Sequence, residues 1–269
     1  MNWQACAAIV EKADPDRFLS AMTASEQGRA VLFPLYAFNV EVARAPWVVS
    51  EPQLAEIRLQ WWRDAIAEIY AGDHPRKHEV VEPLARVIRE AALPRYPFEA
   101  LIDARSFDIY ADAHAGRSAF DAYLDATGAG LMRLAVASSG EDAAQIAGHV
   151  GWAHGAAGLL RALPTLWSAG RDPLPVDGGL PRQQVLNGEM PPSVAEAVRA
   201  VARDGLDRLA QANRPGLNDT AKAALRAGWR SEAVLKAVAR DPAAIFTGVE
   251  VSDFRRKGSL LIRTLAGRW

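Results

Sequence analysis

Apolar residues recur at spacings of three and four through most of this chain, while alternating β-branched runs are scarce. Alanine, leucine and arginine, all good helix formers, dominate the periodic segments. The pattern predicts an all-α protein. It places helices over Asp16 to Ser20 and its continuation, Glu26 to Val42, Glu51 to Tyr70, Glu79 to Ala92, Phe98 to Ala113, Ser118 to Ser138 and Glu141 to Leu163. After a gap it places them over Pro192 to Ala212, Asp219 to Ala227, Trp229 to Ala239 and Asp241 to Phe246.

Breaks fall between the periodic segments, at Asp14-Pro15, Gly72-Asp73-His74-Pro75, Leu93-Pro94, Gly116 and Gly140. None is long enough to be a domain linker. Only Pro164 to Pro192, rich in glycine and proline, reads as a long irregular stretch, and such stretches usually form lids or mouths. The expectation is one helical domain over 1–269, with 253–269 a basic amphipathic tail.

Charge narrows the function classes. With 31 Lys+Arg against 32 Asp+Glu the net charge is -1, which argues against a nucleic-acid groove and against a disordered acidic chain. The single cysteine, Cys6, excludes an internal disulfide framework and a thiolate zinc cluster, and it suits the cytoplasm. The N-terminal residues lack a basic segment followed by an apolar one, so no signal peptide is expected. Ala143 to Leu163 approaches membrane length but carries Gln145, His149, His154 and Arg161, so it is not expected to span.

Several clusters have chemistry and a plainer alternative. Asp108 and Asp112 share a helix face in FDIYAD and form a two-carboxylate candidate for a divalent cation, although a solvated acidic face near Arg105 and Arg117 is the commoner use. His74 and His78 flank a loop and make a weak zinc pair. His149 and His154 diverge by about 140° on a helix, which favours buried structural histidines. Gly148, Gly151, Gly155 and Gly158 clear one edge of a helix, either for close helix packing or as the wall of a narrow apolar tunnel. Trp61 and Trp62, bracketed by Arg58 and Arg63, point about 100° apart, so one can face a core or a cavity. No Gly-x-Ser-x-Gly elbow and no phosphate-cradling Gly-Lys-Ser/Thr loop is present.

Five segments in order carry a family resemblance: RFLSAM (Arg17 to Met22), RAVLFPLYAF (Arg29 to Phe38), EIRLQWWRDAIAEIYAGDHP (Glu56 to Pro75), AYLDATGAGLM (Ala122 to Met132) and GLLRALPTLWSAGRDPLP (Gly158 to Pro175). Together they resemble the squalene and phytoene synthase family. The resemblance implies an isoprenoid-synthase-like helical bundle around a central cavity. In active members two aspartate-rich motifs face each other there and hold magnesium ions that neutralise diphosphate.

Against that pattern, Ala43, Arg44 and Trp47 stand where the first motif has aspartates, with Glu41 the nearby acid. Ala162, Thr165 and Leu166 stand where the second has them, although Tyr36, Arg161, Gly170, Arg171, Leu174 and Pro175 still match. The resemblance therefore implies a family member without its magnesium clamp, needing no metal or other cofactor. LYAFNVEVAR, SEPQLAEIRLQWWRDAI and LLRALP resemble most the branch that includes an assembly factor of respiratory complex I. That branch implies respiratory-complex subunits or assembly proteins as partners, an apolar or isoprenoid ligand, and no nucleic acid.

The cavity and diphosphate-site residues implied are Tyr36, Glu41, Arg44, Arg58, Trp62, Gly128, Gly158, Arg161 and Arg171. The alternative is an active prenyltransferase with relocated ligands. It would use magnesium on Glu41, Asp108 and Asp112, or a diphosphate clamp of Arg44, Arg58, Arg161 and Arg171. The ending FRRKGSLLIRTLAGRW mixes basic and apolar residues and suits either peripheral contact with the inner membrane or an ordinary docked helix.

Overall fold

A computed structural model describes residues 3–49, 51–110, 113–212, 216–248 and 252–269. All its regular elements are helical, as the periodicity predicts. The first three bring the chain to its centre: α1 (Gln4–Ala13), α2 (Pro15–Met22) and α3 (Glu26–Arg44). Asp14 caps α2, its carboxylate accepting from the Arg17 N–H, with Pro15 at the first helical position. Ser25 caps α3 in the same way. Leu32 to Phe38 is buried without a break, so α3 is enclosed on all sides rather than amphipathic. α1 was absent from the periodic reading, yet Cys6 and Val10 are fully buried and Trp3 stacks on Phe33.

Around α3 stand α4 (Pro52–Ala71), α5 (Val81–Glu90) and α6 (Tyr96–Phe107). α4 stops at Gly72, whose φ of 86° is the left-handed conformation that glycine adopts readily at a helix end. α6 ends at Phe107 rather than near Ala113, because Asp108 bonds the Arg105 and Tyr123 side chains instead of extending the helix face. Asp112 lies outside the described residues.

The segment expected as one helix over Ser118 to Ser138 is α7 (Arg117–Leu124), a π-helical turn (Asp125–Ala129) and α8 (Gly130–Ala137). Thr127 bonds back to the Tyr123 carbonyl at 2.7 Å within that widened turn. α9 (Ala144–Ser168) runs on through Pro164, and Ser168 bonds the Pro164 carbonyl in its last turn. The stretch expected to be irregular therefore begins later, and it contains a short helix, α10 (Arg182–Leu186). α11 (Pro192–Gln211), α12 (Asp219–Arg226), α13 (Ser231–Arg240), α14 (Ala244–Thr247) and α15 (Asp253–Leu265) follow.

Two buried clusters result. One gathers α1 to α6 with α8 and α12, and the other gathers α9 with α11 and α13. α9 touches both, and its contact with the π turn fixes the floor of the candidate site. A Cβ on Gly128 would come within 2.5 Å of the Gly151 carbonyl oxygen, and one on Gly151 within 2.6 Å of the Gly128 oxygen. Gly155 is covered by Leu124, and Gly148 lies under the Arg133 guanidinium. Only Gly158 has nothing within 4 Å. The glycine edge is thus a packing seam at three positions and open at the fourth.

Candidate functional site

The pocket above that open position holds about 590 Å³ and is walled by the start of α2, the end of α6, the π turn, α9 and the segment that follows it. Its apolar side comprises Phe107, Leu124, Leu159, Ala162, Leu166 and Pro173, with Trp47 at the rim. The remaining surface is densely charged. Among the described residues, six arginines and four aspartates line it.

Asp16 organises one edge. Its carboxylate lies 2.8 Å from Arg230, 3.1 Å from Arg256 and 3.9 Å from Arg161, which draws α2, α9, α15 and the turn before α13 onto a single anion. Asp14 accepts from the Arg17 backbone and guanidinium. Burial alone would raise its pKa, but Arg17 and the N–H bond hold the carboxyl below the usual range. His154 is pressed down to about 3 by burial and by Arg17 and Arg161, so its imidazole is neutral at pH 7.

A second group sits on the opposite side. Arg105 donates to Asp108 at 2.8 Å and to the Tyr123 hydroxyl at 2.6 Å, and Tyr123 donates to Asp108 at 2.9 Å. Burial opposes the Arg105 charge, but Tyr123 and Asp108 outweigh it and the pKa rises. His114 stacks on Phe107 beside this triad, and burial pushes it down to about 4. At Asp172 burial raises the pKa, and one carboxylate oxygen is buried without a hydrogen bond.

The structure divides the residues implied by the sequence. Gly128, Gly158, Arg161 and Arg171 line the pocket, as do Trp47, Ala162 and Leu166. Arg171 lies over the Trp47 ring at 4.0 Å and closes that corner. The others are elsewhere. Tyr36 is buried in α3 with Arg17 over its ring, Glu41 is buried and bonded to Arg44 at 2.9 Å, and Trp62 sits edge-on to Phe38 in the core. Ala43 and Arg58 are half-buried and Thr165 is on the exposed side of α9, none of them in the pocket wall.

His78 accepts from the Val80 N–H next to α5. Among the described residues no group of three or more His, Cys, Asp or Glu side chains is placed to hold a metal ion. Tyr123 lies in the segment Ala122 to Met132 that carries the family resemblance, whereas Asp14, Asp16, Arg17, Asp172, Arg230 and Arg256 were not expected at the site. The one available signal is the compact Asp14-Pro15-Asp16-Arg17, which reads as a helix start running into the family segment Arg17 to Met22.

A family model described as squalene/phytoene synthase matches residues 10–256. Among curated proteins, the chain is similar to the bovine (Bos taurus) NADH dehydrogenase (ubiquinone) complex I, assembly factor 6, 28% identical over 204 residues, covering 73% of this chain and 61% of that protein. It is also similar to a presqualene diphosphate synthase of Rhodopseudomonas palustris, 33% identical over 156 residues, covering 55% and 53%. The chain spans 52% to 61% of the length of the complex I assembly factor 6 proteins of cattle, fruit fly and human. In fold it is similar to the squalene synthase HpnC from Alicyclobacillus acidocaldarius, with a TM-score of 0.74 at 16% identity over 89% of this chain and 93% of that one.

Proposed function

Because the chain belongs to the squalene/phytoene synthase family, we propose that it is a non-catalytic member acting in assembly of the respiratory NADH dehydrogenase complex. It would act by protein contact and by holding an apolar or isoprenoid ligand in its pocket. The observation that carries this is the likeness to the bovine protein named complex I assembly factor 6 over 73% of the chain.

The pocket's donor set supports the reading. Magnesium takes near-octahedral oxygen coordination and usually draws on carboxylates with free oxygens. Here Asp14 is engaged by Arg17, Asp16 by Arg230 and Arg256, and Asp108 by Arg105 and Tyr123, which leaves Asp172 as the one described pocket aspartate with an unbonded oxygen, a single carboxylate rather than a facing pair. Ala162 and Leu166, on the pocket side of α9, offer no oxygen ligand. These residues do not fit a two-sided magnesium clamp.

The test has two arms. Deleting the coding sequence in its source organism should lower NADH dehydrogenase complex on native gels, and intact complex would overturn the assembly role. Purified protein given farnesyl diphosphate and magnesium should release no pyrophosphate, whereas sustained turnover would overturn the non-catalytic part. The second reading, prenyl transfer, is favoured by the likeness to presqualene diphosphate synthase. It would need a clamp built from arginines, but Arg161, Arg230 and Arg256 already surround Asp16, and Glu41 lies outside the pocket wall.

A further inference from the structure

We propose that α15 is a docking surface for an anionic bilayer. Independently of the assembly role, the inference rests on how this helix divides its faces. Its inner face is fixed to the body: Arg256 reaches Asp16, Leu260 is buried, Ser259 accepts from the Trp229 indole and Arg263 donates to the Trp269 carbonyl. Trp269, at the end of the stretch that suits either membrane contact or a docked helix, packs inward against the core.

The outer face carries Phe254, Gly258, Leu261, Ile262 and Leu265. At 100° per residue these five fall within an arc of about 100° directly opposite Arg256 and Leu260. Phe254 is 87% exposed, Ile262 69% and Leu265 79%. The outer stripe stays open while Arg256 and Leu260 hold the inner face.

Charge selects the occupant. On the helical wheel, Arg255 borders one side of the stripe and Lys257 the other, both exposed, while Asp253 is turned to Arg256 and Lys257 at 3.1 and 3.8 Å. A narrow apolar strip with cations on both margins matches the membrane interface. Apolar side chains enter the acyl boundary there, and long basic side chains reach back to anionic headgroups. No helix among the described residues is long and apolar enough to cross a membrane, so the contact would lie along the surface.

The test uses the full chain in flotation with phosphatidylcholine vesicles, with and without phosphatidylglycerol. Binding should be at least tenfold stronger with the anionic lipid and should weaken in 0.5 M salt. F254S/L261S/L265S should lose at least tenfold of that binding with an unchanged thermal midpoint. R255Q/K257Q, which leaves the apolar stripe intact, should lose the lipid preference even where the triple variant folds poorly. Absence of binding to anionic vesicles, or binding that survives both variants, overturns the proposal. A triple variant that still binds vesicles but runs at lower molecular mass would overturn it too, and would assign the stripe to a second copy of the chain.

Discussion

Along α9, Gly148, Gly151 and Gly155 lie beneath other atoms, whereas Gly158, one turn further on, opens on the pocket with nothing within 4 Å of an added Cβ. The spacing that produces the edge is the same throughout. The partner differs: Arg133 covers Gly148, the π turn brings its own backbone, at Gly128 and Ala129, against Gly151 and Gly155, and no described atom comes within 4 Å of a Cβ at Gly158. A glycine stripe therefore reports that a helix edge is bare, while the opposing element decides whether that edge becomes a seam or a wall.

The sharpest break would come at the seam. Gly151→Ala places a methyl group 2.6 Å from the Gly128 oxygen and 2.7 Å from the Ala129 Cα. Those are main-chain atoms that cannot swing aside, so overpacking should cost about 1–3 kcal/mol. Equilibrium denaturation measures this, and a loss below about 0.5 kcal/mol would show that the π turn can retreat.

The open end should differ in its response to acid. His154 is pressed down to about 3, so below its unfolded value near 6.5 the unfolded chain takes up a proton that the folded one refuses. Stability is then complete above pH 6.5 and falls as the pH drops toward 3, by up to about 1.4 kcal/mol per unit. His114, held near 4, has the same sign. His154→Gln should therefore remove about half of the acid slope in denaturation midpoints, while the Gly151→Ala loss stays constant with pH. An unaltered slope would mean that His154 meets solvent in the folded protein.

At the rim, Asp16→Asn leaves Arg161, Arg230 and Arg256 around a neutral amide. The cost should be about 1–2 kcal/mol, between an exposed and a fully buried pair. Amide exchange should rise first in α15, the element held to α2 by this carboxylate. Uniform exchange would place the anchor of α15 in Leu260 and Trp229 instead.

The seam was partly legible in the sequence and the rim was not, for a physical reason. Helices follow from local periodicity, so α3, α4, α9 and α11 are readable within a few residues. The π turn is not, since Asp125–Ala129 keeps the composition of a helix and differs only in which carbonyl each N–H reaches. Pro164 reads as a stop, but α9 passes it to Ser168. Asp16 meets Arg230 and Arg256 across 214 and 240 positions, a convergence that only tertiary packing creates. Glu41 and Trp62 were expected at the cavity because they occupy family segments, yet α3 and α4 turn those side chains into ion pairing and the core.

The smallest effect on stability carries the most functional information. Gly158→Ala meets no atom and replaces a helix-interior glycine, so it should stabilise by up to about 1 kcal/mol. Gly158→Leu would keep most of that propensity gain while pushing an isobutyl group into the pocket between Leu124 and Ala162. If an apolar ligand is part of the assembly role, this variant should fold as well as the parent and still fail to restore NADH dehydrogenase complex in a deletion strain. Full restoration would leave the pocket dispensable and place the role on surface contacts alone. The same helix edge that has no room for a methyl group at Gly151 leaves a Cβ at Gly158 free of contacts, and the two variants separate what holds the fold from what the pocket does.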